Sequence, residues 1–540
     1  MTKTMQSRSG MAAQLVVRRL ARFGRDESGV LVVFGLIIFV MMLLIGGMAV
    51  DLMRFETNRA KLQGTSDRAV LAAASLRQTG NPVAVVEDYF VKAGIDEYLT
   101  GVNVTSGINY RAVNADVLAE VPSFFMQMIG IDSIEAPASS TAEERIIDVE
   151  VSLVLDVSGS MNSSSRLVNL KVAARDFVDT VFAGDTENKI SISLVPYNGQ
   201  VNLGATVAPR YNLSTTHTFN TCADLPTALF NSTALSNTTL LARSDPIDPW
   251  SSNYQKPLVN TTNRQNYCST DARLAVKPFQ RNATTLKATI NSLVAEGNTS
   301  IDLGMKWGMA MLDPGTQPVI TSLIAAGAVP AYFAGRPYSL TRDDTARIIV
   351  LMSDGENTSQ FTLHAAYKSG LSNVYRSTSG ATNGNVTIYH AARAGTDKYY
   401  VLTPTQITGY QTGMWTNAVS GGVGATNLTW PAVWETYPVS YVARYWFANP
   451  LGVSVSTWTN TFQTSVGPTT KDAQLTAICN TAKVAGIRVF TVGFDAPAVG
   501  AAALSSCASS PGDYFNVTGT QIQAAFQAIA RQITQLRLTQ

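Results

Sequence analysis

Apolar residues dominate the start of this chain without interruption. From Gly29 to Val50, GVLVVFGLIIFVMMLLIGGMAV, 22 positions pass with no charged side chain. As a helix that run is about 33 Å long, which spans the hydrocarbon layer of a bilayer. A cleaved signal peptide, the competing reading, carries an apolar region of only about 7–15 residues. The pattern therefore predicts a basic tail over 1–28 and a retained transmembrane helix over 29–50. Beyond it, apolar residues recur at Leu52, Phe55, Leu62, Ala69 and Ala73 among charged ones, a helical spacing that extends the span into an amphipathic stalk over 51–80. The turn signal TGNP, Thr79 to Pro82, closes it. Short apolar pieces broken by Gly, Pro and Ser over 83–147 read as a small membrane-proximal module.

From Asp148 the periodicity alternates between strands and helices up to residue 538. DVEVSLVLD, KISISLVPY, RIIVLMSD and GIRVFTVGF are short, apolar and rich in β-branched residues. Helical spacing marks Arg166 to Phe182, Thr284 to Ala295, Ser300 to Leu312, Asp472 to Val484 and Gln521 to Leu538. Strands apolar on both faces with helices between them predict an α/β domain built on a doubly wound, mostly parallel sheet, over 148–538. Two segments interrupt that alternation, at 205–281 and 358–470. The second carries Trp415, Trp430, Trp434, Trp446 and Trp458 but few charges, so it is expected to pack on itself. Its cluster of Trp415, Trp430, Trp434, Tyr437, Tyr441, Tyr445 and Trp446 is read first as the core of the insertion, and otherwise as a binding face for a glycan or another subunit.

Charge changes the picture by exclusion. Charged residues are 14% of the chain and the net charge is +2, so no basic field recruits nucleic acid. Arg18, Arg19, Arg22 and Arg25 before the span balance Arg54, Arg59, Lys61 and Arg68 after it, and the positive-inside rule leaves the orientation open. All four cysteines follow the span, with 45, 210 and 27 residues between successive ones. No CxxC occurs, which disfavours zinc. Proximity favours Cys222–Cys268 and Cys479–Cys507 among three possible pairings, and disulfides imply an oxidising compartment. No GxSxG, HExxH or GxxxxGK[ST] motif appears, so an enzyme is not expected.

Candidate chemistry sits where the first strand of the α/β domain ends, in VSLVLDVSGSM. Asp156 is followed at alternate positions by Ser158 and Ser160, and Gly159 lets the loop curl so that three oxygens face one centre. Hard oxygens of low total charge suit Mg²⁺. One carboxylate and two hydroxyls do not fill its shell. The element order supplies Thr299, in GNTS just before a helix, and Asp354, in LMSDGEN at the end of another strand. The plain alternative is a structural turn in which Asp156 caps a helix.

The order DxSxS, then Thr before a helix, then a strand running into SDGEN, resembles the von Willebrand factor A domain and its metal-ion-dependent adhesion site. That resemblance implies a Rossmann-like fold holding Mg²⁺, or Mn²⁺ or Ca²⁺, with Ser158, Ser160 and Thr299 as direct ligands and Asp156 and Asp354 acting through water. A protein partner's carboxylate completes the shell, and the helix from Gln521 to Leu538 shifts as the shell changes. Residues Arg25 to Ser75 are similar to the N-terminal segment of TadG-like proteins of Tad (Flp-type) pilus systems, as are ICNTAKVAGIRVFTVGFD and the segment from Leu504 to Ile533 to their C-terminal part. This resemblance implies a single-pass protein of the bacterial inner membrane, its tail in the cytoplasm and its large domain in the periplasm, anchored in lipid through 29–50 and working with the pilus machinery. The alternative is a surface-displayed adhesin for a host or abiotic ligand. After Gly29 no acidic residue occurs before Asp51, so prepilin-type cleavage is not expected.

Overall fold

The computed structural model describes residues 16–22, 28–75, 78, 80–106, 110–145, 148–183, 185, 187–254, 266–342 and 344–539. Most of the expected basic tail, Thr79 of the turn signal and residues 255–265 of the first insertion lie outside them. The chain divides into two compact units, 1–146 and 147–540.

In the first unit one helix, α1 (Ser28–Ala74), runs unbroken for 47 residues. Its apolar side chains from Val30 to Leu43, and Ile45, stand exposed, as they do where lipid replaces water as the solvent. Within the described residues it is the one helix long and apolar enough to cross a membrane. The second helix, α2 (Pro82–Ala93), starts at an Asn81 cap with proline in its first turn and stops at left-handed Gly94. Strands β1 (Leu99–Ser106), β2 (Tyr110–Pro122) and β3 (Ser133–Arg145) form an antiparallel meander. Every second residue of β2, from Val113 to Val121, is buried, and these pack with Leu62, Ala69, Val70 and Ala73 of α1 and with Val86 and Phe90 of α2. The alanines that gave the stalk its periodicity let the sheet approach it closely.

The second unit is built on six strands: β4 (Asp148–Asp156), β5 (Ile190–Tyr197), β6 (Lys277–Gln280), β7 (Thr345–Ser353), β8 (Arg488–Phe494) and β9 (Tyr514–Val517). Their order is β9-β8-β7-β4-β5-β6, and every pair is parallel except β5 with β6. All of β4 is buried because helices cover both sides. Val151, Leu153 and Leu155 face α3 (Arg166–Phe182), α4 (Ala283–Ser292) and α8 (Gln521–Thr539) through Phe177, Ile290 and Phe526. Val154 faces the opposite layer of α5 (Ile301–Ala310), α6 (Pro468–Val484) and α7 (Ala498–Cys507), through Met305, Leu475 and Leu504. Gly304 and Gly308 allow α5 to lie flat on the sheet: a Cβ at these positions would come 2.6 Å from the Tyr197 ring and 2.4 Å from Val154.

The four residues of β6 fall inside the stretch expected as the first insertion. KPFQ contains a proline and no apolar run, and the strand pairs only as an antiparallel edge, so periodicity gave no sign of it. The second insertion folds around its own sheet of five antiparallel strands, with Leu371–Ser377 pairing Val386–Tyr389 on one side and Ala425–Thr429 on the other. Trp434, Tyr441 and Trp446 are fully buried there, Trp430 and Tyr437 nearly so, and Trp415 and Tyr445 half-buried. The aromatic cluster is the core of this segment. Disulfides join Cys222 to Cys268 and Cys479 to Cys507.

Candidate functional site

Parallel strands carry their loops of like sense to the same sheet edge. Central neighbours β4 and β7 therefore deliver Asp156 and Asp354 side by side at their carboxyl ends. Asp156 is completely buried; its Oδ1 accepts from the Ser158 amide at 2.8 Å and its Oδ2 from the Ser353 hydroxyl at 2.6 Å. The Ser158 and Ser160 hydroxyls lie 2.9 Å apart, and Ser160 donates to Asp354 Oδ1 at 2.8 Å. The loop curls as expected: the Gly159 amide donates to the Gly297 carbonyl at 2.9 Å, drawing the segment before α5 across the serines. Thr299 follows directly, with its Oγ1 3.8 Å from where a Cβ on Gly355 would stand. Asp156, Ser158, Ser160, Thr299 and Asp354 thus converge from three distant parts of the chain.

Electrostatics mark the place as unusual. Burial, then the charge of Asp354, pushes the Asp156 carboxyl up to about 7. Burial also raises Asp354, opposed by Ser160 and by Arg166. Two carboxylates shut away together resist ionising together, and a nearby cation relieves them. Arg166 supplies one: at the first turn of α3, its guanidinium donates to Asp354 Oδ2 at 2.9 Å and to Asp495 Oδ2 at 3.2 Å.

A second cation braces the threonine segment from below. Lys471 of α6 is fully buried and donates from Nζ to the carbonyls of Thr299 at 3.1 Å and Thr358 at 2.9 Å, and to the Ser300 hydroxyl. Its counter-charge, Asp302 of α5, lies 3.6 Å away. Asn357 closes the brace, accepting from the Ile301 amide at 2.8 Å and donating to Asp472 at 2.9 Å. Sequence reasoning missed Arg166, Ser353, Lys471 and Asp495. Ser353 and Arg166 sat beside recognised motifs, whereas only tertiary packing brings Lys471 to Thr299.

Among the described residues no three His, Cys, Asp or Glu side chains gather at one point. The donor set here is instead two carboxylates and three hydroxyls. All are hard oxygens of low total charge, a set that fits a hard dication such as Mg²⁺ and offers nothing to a soft metal.

Residues 29–76 match the family described as Putative Flp pilus-assembly TadE/G-like. The match falls on the long apolar helix with its stalk, the one helix among the described residues long and apolar enough to cross a membrane. Comparison with curated proteins gives no match. Among solved structures the chain is similar to the vWF domain of the type V pili tip protein Mfa5 from Porphyromonas gingivalis, at 15% identity and a TM-score of 0.32, over 73% of this chain and 98% of that one. It is also similar to the pilus adhesin SpaC from Lactobacillus rhamnosus GG, at 12% identity and a TM-score of 0.28, over 80% of this chain and 34% of that one. The pilus adhesin RrgA from Streptococcus pneumoniae gives 12% identity and a TM-score of 0.30, over 81% and 48%. These scores lie below the level at which a shared fold follows.

Proposed function

We propose that this chain is a membrane-anchored, extracytoplasmic component of a Tad/Flp-type pilus or surface-attachment system, and that its second unit is a von Willebrand factor A-like binding module, not an enzyme. The observation that carries the reading is the meeting of Asp156, Ser158, Ser160, Thr299 and Asp354 at the carboxyl ends of neighbouring parallel strands. Ser158, Ser160 and Thr299 would hold a Mg²⁺, Mn²⁺ or Ca²⁺ ion, with Asp156 and Asp354 behind them. Such an ion, left with net positive charge by so few anionic ligands, supplies affinity for a carboxylate of a protein partner. The chain's own part is positional. Asp156, held by the Ser158 amide and the Ser353 hydroxyl, fixes the serine loop, and Lys471 fixes the threonine segment. Arg166 shares Asp354 with any entering ion and so competes with it.

Thermal unfolding of the full chain in detergent tests the reading. Mg²⁺ at about a hundred times its dissociation constant stabilises the wild type by about 2.7 kcal/mol. Asp156→Ala and Asp354→Ala abolish that gain, and pull-down from membranes recovers a partner with Mg²⁺ but not with EDTA. Equal melting with and without the ion, together with EDTA-resistant partner binding, overturns the proposal.

A further inference from the structure

The hairpin between β2 and β3 carries an apolar tip that the fold leaves in the open. Phe124, Met128 and Ile129 are more than half exposed, and Ile131 is more than a third exposed, over a stretch of eight residues with no charge, FFMQMIGI. A water-soluble module of this size would bury or replace such side chains. Their position on α1 explains them. Leu44, Gly47, Met48 and Asp51 form one helix face, and this face is the part of the apolar run that is covered. The cover is the hairpin tip: a Cβ on Gly47 would stand 2.2 Å from the Phe125 ring, so the glycine is the seat of that ring. One turn further on, Asp51 accepts from the amides of Phe124 at 3.0 Å, Phe125 at 2.7 Å and Met126 at 2.8 Å. Arg54 lies 3.9 Å over the Phe124 ring and donates to the Pro122 carbonyl at 3.1 Å.

These contacts fix the depth of the tip. Gly47 lies within the span, about 4–5 Å inside its end at Val50. Phe125 seated on it is therefore below the boundary of the hydrocarbon layer. The exposed side chains beside it, on the same short turn, lie at the depth where apolar groups of interfacial segments rest, about 5–10 Å into the headgroup and acyl region. The tip's amides, which bare lipid would leave unsatisfied, are taken up by Asp51.

We infer that residues 124–131 insert into the bilayer surface beside the transmembrane helix, as a second anchoring element whose ligand is the lipid itself. The inference rests on the membrane-anchor reading of α1. Single cysteines placed at Met128, at Val40 within the span and at Thr105, exposed at the far end of the β1–β2 pair, can each be labelled with a polarity-sensitive fluorophore in the full chain, because all four native cysteines are disulfide-bonded. In phosphatidylcholine–phosphatidylglycerol vesicles, labels at Met128→Cys and Val40→Cys emit to the blue of the aqueous value and lose intensity when spin-labelled lipid is added, while Thr105→Cys does neither. Quenching at position 40 with water-like emission at 128 overturns the inference alone. Water-like emission at both overturns the membrane anchor and the inference with it.

Discussion

His390 shows how a single residue sets conditions on its surroundings. It is almost fully buried, with the rings of Phe447 at 5.0 Å, Trp415 at 5.2 Å and Tyr400 at 6.5 Å. Burial, reinforced by the charge of Arg393, pushes its imidazole down to about 4. The folded value lies below the unfolded one of about 6.5, so the neutral ring is the stabilised form. Its contribution is complete above pH 6.5 and is lost as the pH falls from there through 4. Urea unfolding followed at pH 7 and at pH 4.5 should cost the wild type about 2 kcal/mol more than His390→Phe over that interval. Equal losses in the two proteins would show that the ring titrates freely. Asp156 shows the opposite use of burial, where confinement with a second carboxylate creates a place that favours a cation.

At the scale of elements, α5 and α1 make contrasting demands on glycine. Gly308→Ala gains about 1 kcal/mol of helix propensity but drives a methyl to 2.4 Å from Val154 on a central strand. Overpacking against a sheet costs about 1–3 kcal/mol, which exceeds that gain at so close a contact, so the variant should be less stable by up to about 2 kcal/mol in denaturant titration. Gly64→Ala on α1 meets only the end of Arg68, at 3.8 Å, and should be neutral or stabilising by up to about 1 kcal/mol. Period and cap signals exposed the elements with long apolar runs. Asp148–Asp156 and Arg166–Phe182 begin and end where the pattern placed them. What stayed hidden depends on distant partners: β6 is a strand because β5 lies beside it, and Lys471 is a brace because α6 crosses the threonine segment. Asp156, Ser158 and Ser160 were legible because one loop carries them, and Thr299 and Asp354 because strand order predicts which loops share an edge. Arg166 went unseen because its helical position says nothing of where a guanidinium reaches.

Over the whole molecule, covalent ties and sheet edges set the limits. Cys479–Cys507 fastens α6 to α7 across a separation of 28 residues, and Cys222–Cys268 closes one of 46. Loops of this size contribute about 3.5–4 kcal/mol each by restricting the unfolded chain. Cys479→Ala with Cys507→Ala should lower the unfolding free energy by about 2–4 kcal/mol, read by denaturant titration, and a reductant should act on the wild type but no further on that bridge in the variant. The six-stranded sheet ends in β6 and β9, four residues each, and β6 carries a proline and slips register against β5. A border so brief gives an incoming strand little to zip onto, which guards the sheet against edge-to-edge growth from one copy of the chain to the next.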